Sequence, residues 1–281
     1  MEKSLKTLLA EHGFSFKKAF GQNFLTDDNL LDEIVEKSGI SKDDTVLEIG
    51  PGAGALTRHI SKRAKKVVCY EIDTKLKPIL DEVLYNADNV EVVFSDIMKC
   101  PIEQVEKKLG GKYVMVANLP YYITTPIVMK FLEQAKNLKA MVIMVQEEVA
   151  LRFSSSAGES DYGAITVGID LRGSADIVLR VPREKFTPAP NVDSAVIKIT
   201  IDENKFKGVN FEKVREVVRI AFSSRRKMLV NNLMNGYKIS RDIANEILSS
   251  ADISLTERGE NLSAERFVVL SKIIAEKGIK S

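Results

Sequence analysis

Asn118, Leu119, Pro120 and Tyr121 are the residues of this chain whose types point most directly to chemistry. They follow the apolar run 113–117, which predicts a buried strand, and open α/β sheets bind ligands at the carboxyl ends of such strands. The amide oxygen of Asn118 can accept a hydrogen bond from an amine, and the Tyr121 ring offers a flat face for stacking. Pro120 fixes the turn, so a neighbouring carbonyl can point outward as a second acceptor. We therefore expect this tetrad to hold a planar base with an exocyclic amine, although Asn-x-Pro is also a common turn.

A glycine-rich turn lies upstream of the tetrad, between a predicted strand at 45–49 and a helical pattern that begins near Ala55. Gly50, Gly52 and Gly54 give the spacing GxGxG, and glycines at a strand-to-helix turn let a ligand approach the backbone closely. The spacing differs from the GxGxxG of dinucleotide-binding folds, so a nicotinamide oxidoreductase is not favoured. Taken alone, such a turn is as often a tight turn and nothing more.

Polar residues end the next two predicted strands. The run 66–71 ends in Glu71, twenty-one residues after Gly50, where a carboxylate can accept hydrogen bonds from ribose hydroxyls. The run 90–95 is followed by Asp96, whose carboxylate can accept a hydrogen bond from an adenine amine. Four successive strands thus end at Gly50, Glu71, Asp96 and Asn118.

The chain has no GxxxxGK[ST] loop, which argues against nucleoside triphosphate chemistry. Acidic and amide strand ends without a phosphate-binding loop suit an adenosine that carries no phosphates. S-adenosyl-L-methionine meets this requirement, and its sulfonium supplies an electrophilic methyl group. The residues therefore predict a methyltransferase whose own groups need only align the acceptor.

Five segments in combination resemble the ribosomal RNA adenine dimethylase family, from about residue 16 to the C-terminus. They are FGQNFL at 20–25, EIGPG at 48–52, NLPYYITTP at 118–126, FTPAPNVDS at 186–194 and AFSSRRK at 221–227. The resemblance is closest to the bacterial KsgA type, which acts on small-subunit (16S) RNA. It implies dimethylation of N6 of two adjacent adenosines near the 3′ end of 16S rRNA, within an assembling 30S subunit.

The resemblance also implies roles for individual residues. The implied cofactor-binding residues are Asn23, Leu25, Gly50, Gly52, Glu71, Asp96 and Asn118. The implied catalytic residues are Asn118, Leu119, Pro120, Tyr121 and Phe186. A flipped adenine would stack between Tyr121 and Phe186, although the segment 186–190 also fits a rigid connector. The Asn118 oxygen and the carbonyl of Leu119, or that of Pro120, would accept hydrogen bonds from the amine and so direct its lone pair at the methyl group.

Basic residues are concentrated in one part of a chain whose net charge is only +2. From Lys205 to Arg241 there are ten Lys or Arg residues and two Glu residues, an excess of eight positive charges. This segment favours a polyanion such as RNA as the partner, although a solvated helix face gives the same pattern. The candidate RNA-binding residues are Arg225, Arg226 and Lys227, together with Lys17 and Lys18 in the aromatic-rich N-terminal arm.

Alternating strands and helices predict an α/β fold. We expect a Rossmann-like S-adenosylmethionine-dependent methyltransferase sheet with helices on both faces, plus a small C-terminal all-helical domain. The predicted divisions are an arm at 1–26 that contributes to the cofactor site, a catalytic domain at 27–204 and a basic helical RNA- or ribosome-binding domain at 205–281. Residues 164–171 are ambiguous between helix and strand, and the family resemblance implies a helix.

Composition narrows the class of protein further. A hydrophobic fraction of 44% supports a substantial core, and no apolar run is long enough to span a bilayer or to form a signal peptide. The two Cys and two His residues show no metal-ligand spacing. We therefore expect a cytoplasmic monomer with neither a metal site nor a membrane partner.

Three alternatives remain open. A relative that dimethylates large-subunit RNA and confers macrolide resistance fits the tetrad and the Phe186 loop equally, but the long basic C-terminal segment weighs against it. A non-catalytic RNA-binding assembly factor on the same fold is the second, and the intact strand ends argue for retained cofactor binding. A DNA adenine or protein-glutamine methyltransferase is the third; such enzymes typically carry Pro-Pro-Tyr, where this chain has Leu119.

Overall fold

The computed structural model describes Thr7, Glu11, His12, Phe24, Leu25 and residues 27–280. Asn23, Lys17, Lys18 and most of the predicted N-terminal arm lie outside the described residues, so their proposed roles stay predictions.

Strands form the centre of the first part of the chain. In chain order the strands of the described residues are β1 Phe24–Leu25, β2 Thr45–Ile49, β3 Lys66–Glu71, β4 Val90–Phe94, β5 Tyr113–Asn118, β6 Leu138–Gln146, β7 Gly173–Val181, β8 Phe186–Thr187 and β9 Ser194–Ile201. Seven of them form one sheet in the order β4-β3-β2-β5-β6-β9-β7, and β1 pairs with β8. The pairs from β4 to β6 are parallel, whereas β9 runs antiparallel to β6. The predicted α/β fold is confirmed.

Helices connect the parallel strands and make up most of the C-terminal part. From residue 27 onward they are α1 Asp28–Ser38, α2 Ala55–Arg63, α3 Lys77–Val83, α4 Ile102–Leu109, α5 Tyr121–Gln134, α6 Glu147–Phe153, α7 Ala164–Asp170, α8 Phe211–Ala221, α9 Leu229–Tyr237, α10 Arg241–Ser250 and α11 Ala264–Glu276. Residues 164–170 of the ambiguous segment are therefore helical, and Leu171 caps this helix. No helix in the described part of the chain is long and apolar enough to cross a membrane.

The central strands end together at one edge of the sheet. Every residue of β2 from Val46 to Ile49 is buried, as expected for a parallel strand covered on both faces. Ile49 lies opposite Tyr70 of β3 on one side and Ala117 of β5 on the other. The residues that follow these three positions therefore come out at the same edge.

The chain divides into two compact units. Among the described residues, the first unit contains those up to Ala150 together with Ala175–Ile201, and the second contains Leu151–Ser174 together with those from Asp202 onward. The predicted boundary at 204 lies close to the observed one at 201, but residues 151–174 belong to the second unit and not, as expected, to the catalytic domain.

Packing explains this difference. The apolar side chains of Tyr162, Val167 and Leu171 lie in the same buried core as those of α8, α9 and α11. The buried Tyr162 hydroxyl also donates a 2.9 Å hydrogen bond to the carbonyl of Leu262. The two segments of the second unit thus share one hydrophobic core. They lie far apart in the sequence, so local patterns do not predict that they pack together.

Candidate active site

A cavity of about 340 Å³ opens at the edge where the central strands end. Its volume lies in the range of small-molecule sites. Ten residues predicted for the site line it: Leu25, Gly50, Gly52, Glu71, Asp96, Asn118, Leu119, Pro120, Tyr121 and Phe186. The structure thus brings together every predicted cofactor-binding and catalytic residue except Asn23, which lies outside the described residues.

The glycine turn after β2 forms one wall of the cavity. Gly50 and Gly52 have φ values of +70° and +58°, in the left-handed region that favours glycine. A Cβ atom on Gly52 would lie 2.7 Å from the Cε1 atom of Phe24, so a side chain there would force the Phe24 ring to move. Glycine therefore suits the turn for its backbone conformation, and at position 52 it also permits the close approach of the Phe24 ring.

Glu71 ends β3 and is held by the neighbouring backbone. Its Oε2 accepts a hydrogen bond from the N–H of Gly52 at 3.1 Å, and its Oε1 accepts one from the N–H of Asp73 at 2.8 Å. Burial raises the pKa of Glu71, and these two N–H groups oppose the rise because they favour the charged form. Each carboxylate oxygen keeps further acceptor capacity, which suits ribose hydroxyls.

Glu48 lies beside the cavity and was not predicted as a site residue. It is the single acid within β2, and its side chain is buried. Burial raises the pKa of Glu48 to about 7, and the negative charge of Glu71 adds to this effect. The Cys69 thiol donates to its Oε2 at 3.4 Å. An acid inside an otherwise apolar strand was the signal that could have identified it.

Asp96 follows β4 in a short loop. Its Oδ1 accepts a 2.9 Å hydrogen bond from the N–H of Met98, which fixes the orientation of the carboxylate. Ile97 and Met98 line the cavity together with Ile72, and none of these three was predicted for the site. The part of the cavity predicted to hold adenine thus consists of one carboxylate among apolar side chains.

The tetrad joins β5 to α5. The carbonyl of Pro120 accepts hydrogen bonds from the N–H of Ile123 at 3.1 Å and from the Thr124 hydroxyl at 3.2 Å. Because the Pro120 carbonyl is used by the first turn of α5, the Leu119 carbonyl is the better candidate for the second acceptor of the amine. The Tyr121 hydroxyl lies 2.9 Å from the hydroxyl of Ser194, and this contact fixes the plane of the ring. Burial raises the pKa of Tyr121, and the hydrogen bond with Ser194 opposes part of that rise.

Phe186 reaches the cavity through the small sheet of β1 and β8. Leu25 pairs with Phe186 and Phe24 pairs with Thr187 in this antiparallel ladder. The Phe186 ring is buried and lines the same cavity as Tyr121. The position is consistent with its predicted role as a wall of the base pocket.

The predicted RNA-binding residues of the second unit differ in whether their side chains bind other groups of the protein. The Nε atom of Arg225 donates to Oε2 of Glu260 at 2.8 Å, and its guanidinium also donates to the carbonyl of Ser160. Arg226 and Lys227 are exposed, and neither pairs with a carboxylate in the described part of the chain. Of the three predicted RNA-binding residues in this unit, Arg225 therefore also has a structural role.

The residues around the cavity fit an adenosine-containing sulfonium ligand. The glycine turn lines the cavity with backbone that carries no side chain, and two carboxylates, Glu71 and Asp96, are oriented by backbone N–H groups. With the parallel sheet, these features define a Rossmann-like methyltransferase that uses S-adenosyl-L-methionine. The model of the ribosomal RNA adenine dimethylase family matches residues 13–276, and the chain belongs to this family.

Individual relatives agree with this assignment. The ribosomal RNA small subunit methyltransferase A of Bacillus pumilus is 45% identical over 276 residues, covering 96% of this chain and 94% of the relative. The protein of the same name from Clostridioides difficile is 44% identical and covers 97% and 95%. A dimethyladenosine transferase from Plasmodium falciparum has a similar structure, with a TM-score of 0.77, 30% identity and coverage of 91% and 98%. The 23S rRNA methyltransferase ErmE gives a TM-score of 0.69, 28% identity and coverage of 90% and 100%.

Replacing Glu71 should weaken cofactor binding. We expect Glu71→Ala to reduce the affinity for S-adenosyl-L-methionine by about 1–3 kcal/mol, because a charged acceptor and the support of the glycine turn are both lost. Glu71→Gln keeps one acceptor oxygen and should lose less. Calorimetric titration of the three proteins measures the difference, and equal affinities would contradict the assignment of Glu71.

The raised pKa of Glu48 predicts a change of stability with pH. Because the folded state binds this proton more tightly than the unfolded chain, the contribution of Glu48 to stability is full below pH 4.5 and is lost as the pH rises to about 7. Glu48→Gln lacks this loss, so its free energy of unfolding relative to the wild type should rise by up to about 1.4 kcal/mol per pH unit across that window.

Urea unfolding at several pH values across the window measures this difference. Glu103→Gln, at a carboxyl with 83% exposure, is the matched control and should follow the wild type. Curves for Glu48→Gln and the wild type that run parallel over the whole range would rule out a buried carboxyl that titrates near neutrality.

Proposed function

We propose that this protein dimethylates N6 of two adjacent adenosines near the 3′ end of 16S rRNA, acting as a cytoplasmic monomer on an assembling 30S subunit. The observation that carries this proposal is similarity along almost the whole chain, second unit included, to relatives named for the small subunit. Substrate choice in a shared fold depends on the parts that contact the RNA, so similarity confined to the first unit would not have sufficed.

The cofactor would be held by the ends of the strands. The Glu71 carboxylate would accept hydrogen bonds from the ribose, and Asp96 would accept one from the adenine amine. The glycine turn at Gly50 and Gly52 would allow the ligand to approach the backbone. When bound, S-adenosyl-L-methionine supplies an electrophilic methyl group.

The target adenosine would be held by the tetrad and by Phe186. Its amine is a weak nucleophile, because its lone pair is delocalised into the ring. Hydrogen bonds accepted by the Asn118 side-chain oxygen and the Leu119 carbonyl would favour a pyramidal nitrogen with a directed lone pair. These contacts strengthen as positive charge develops on the nitrogen, which is how they lower the barrier. Tyr121 and Phe186 would stack on the two faces of the flipped base.

A proton must leave the amine after each transfer. Asn118 has no basic group, and the Tyr121 phenol is engaged with Ser194, so we assign no side-chain base to this step. The proton would pass to water once the charged product nitrogen has become strongly acidic. The same acceptors would then hold the monomethyl amine through its remaining proton for the second transfer.

A large-subunit substrate is the second candidate. Its support is the structural similarity to ErmE over 90% of this chain. Its sequence identity is lower than that of the small-subunit relatives, at 28% against 44–45%.

One assay separates the two candidates. Undermethylated small and large ribosomal subunits, and the naked 16S and 23S RNAs, are incubated with labelled S-adenosyl-L-methionine, and the methylated nucleotides are mapped. The proposal predicts dimethylation of adjacent adenosines in the small subunit. Label confined to 23S RNA would establish the second candidate, and label in neither would contradict both.

Replacing Asn118 should impair methyl transfer more than cofactor binding. We expect Asn118→Ala to lower the single-turnover rate by about 100-fold, because an interaction that strengthens in the transition state is lost, while the cofactor affinity changes far less. Asn118→Asp keeps an acceptor oxygen and should retain more of the rate. A single-turnover rate for Asn118→Ala within a few-fold of the wild type would refute the proposed activation of the amine.

The exposed residues Arg226 and Lys227 should contribute to RNA binding. We expect Arg226→Ala with Lys227→Ala to weaken subunit binding and to reduce the slope of log affinity against log salt by roughly 0.7–0.9 per lost phosphate contact. Filter binding over a salt titration measures the slope. Lys272→Ala with Lys280→Ala removes the same charge from exposed positions of the same unit and is the control.

Arg225→Ala should differ from the double variant in its effect on stability. Because Arg225 binds Glu260 and the Ser160 carbonyl, its loss should lower the melting temperature of the protein as well as change RNA binding. If the double variant and its control have the same salt slope, the RNA footprint does not include Arg226 and Lys227.

A further inference from the structure

Lys130 of α5 is a cation whose partners are all backbone carbonyls of one loop. Its Nζ atom donates hydrogen bonds to the carbonyl of Ile97 at 2.8 Å, to that of Met98 at 2.9 Å and to that of Cys100 at 2.7 Å. An ammonium group has three N–H donors, so each donor has one acceptor. Lys130 forms no ion pair among the residues that the structure describes.

The loop that Lys130 holds is the one that carries Asp96. Ile97 and Met98 supply two of the three carbonyls and also line the cavity. The N–H of Met98 binds the Asp96 carboxylate, so the position of this peptide sets the position of the carboxylate. A change at Lys130 would therefore reach the cavity through two covalently linked residues.

We propose that Lys130 is a positioning residue for the cofactor: its ammonium fixes the loop at 96–100 so that the Asp96 carboxylate faces the adenine of S-adenosyl-L-methionine. The inference rests on the proposed function, because Asp96 has its adenine-binding role only there. Lys130 does not line the cavity itself. Its effect on the ligand would pass entirely through the loop.

The Lys130→Met variant tests this role. Methionine has a similar length but no donor, so three carbonyls would lose their partner. We expect the dissociation constant for S-adenosyl-L-methionine to rise about ten-fold, with the KM for RNA and the rate at saturating cofactor within about two-fold of the wild type. Lys136→Met, which removes an exposed ammonium just beyond α5, is the control and should bind the cofactor normally.

A double-mutant cycle identifies the route of the effect. In an Asp96→Ala background, Lys130→Met should change cofactor affinity by less than about two-fold, because the carboxylate that it positions is absent. In a Glu71→Ala background, the full effect of about ten-fold should remain, because Glu71 is held by other backbone groups. A purely structural role would give equal effects in both backgrounds.

The outcomes separate this inference from the proposed function. If Asp96→Ala binds the cofactor as tightly as the wild type, the adenine-binding role of Asp96 is wrong, and the role of Lys130 falls with it. If Asp96→Ala is impaired but Lys130→Met is not, or if the two losses add fully, only the inference about Lys130 is overturned. Should Lys130→Met fail to fold, Lys130→Gln, which retains an N–H donor group, enters the same cycle.

Discussion

The shared register of β2, β3 and β5 is the constraint on which the rest of the site depends. Ile49 lies opposite both Tyr70 and Ala117, so three strands end at one level and their next residues meet around one cavity. Strands that are buried on both faces obtain this register from packing against the covering helices and not from a simple alternation of apolar and polar residues. A slip of one residue would reverse the faces of a whole strand and remove its polar end from the cavity.

Buried acids next to this cavity add an electrostatic constraint. Burial raises the pKa of both Glu48 and Glu71, which means that their surroundings disfavour the charged forms. Glu71 offsets part of this cost through two backbone N–H groups. A cationic ligand in the cavity would lower both pKa values, so binding of a sulfonium cofactor and ionisation of these acids are linked. The glycine turn lines the cavity without side chains, and the acids supply a preference for positive charge.

The local sequence pattern was sufficient to predict the strand ends, because each strand is a largely apolar run of five or six residues that ends in, or is followed by, a polar residue or glycine. Contacts between distant parts of the chain were not predictable in this way. The Glu48 carboxyl contacts Cys69, which lies on the neighbouring strand β3. Ser194 contacts the hydroxyl of Tyr121, which lies seventy-three residues earlier in the chain. Arg225 looked like a free phosphate ligand, but its partner Glu260 is visible only in the folded unit. The placement of residues 151–174 in the second unit likewise depends on a core formed by two separate segments.

Helix α5 contacts both the tetrad and the loop that carries Asp96. Its first turn binds the Pro120 carbonyl through Thr124 and carries Tyr121, so it fixes the tetrad that is proposed to bind the base. Two turns further on, Lys130 fixes the loop that carries Asp96. In the proposed function the tetrad would hold the amine and the loop would hold the cofactor, so one helix contacts both binding regions. Because the proposed methyl transfer relies on positioning more than on any strongly acidic or basic group, α5 would contribute by placing the tetrad for the amine and by holding the loop at 96–100 for cofactor binding.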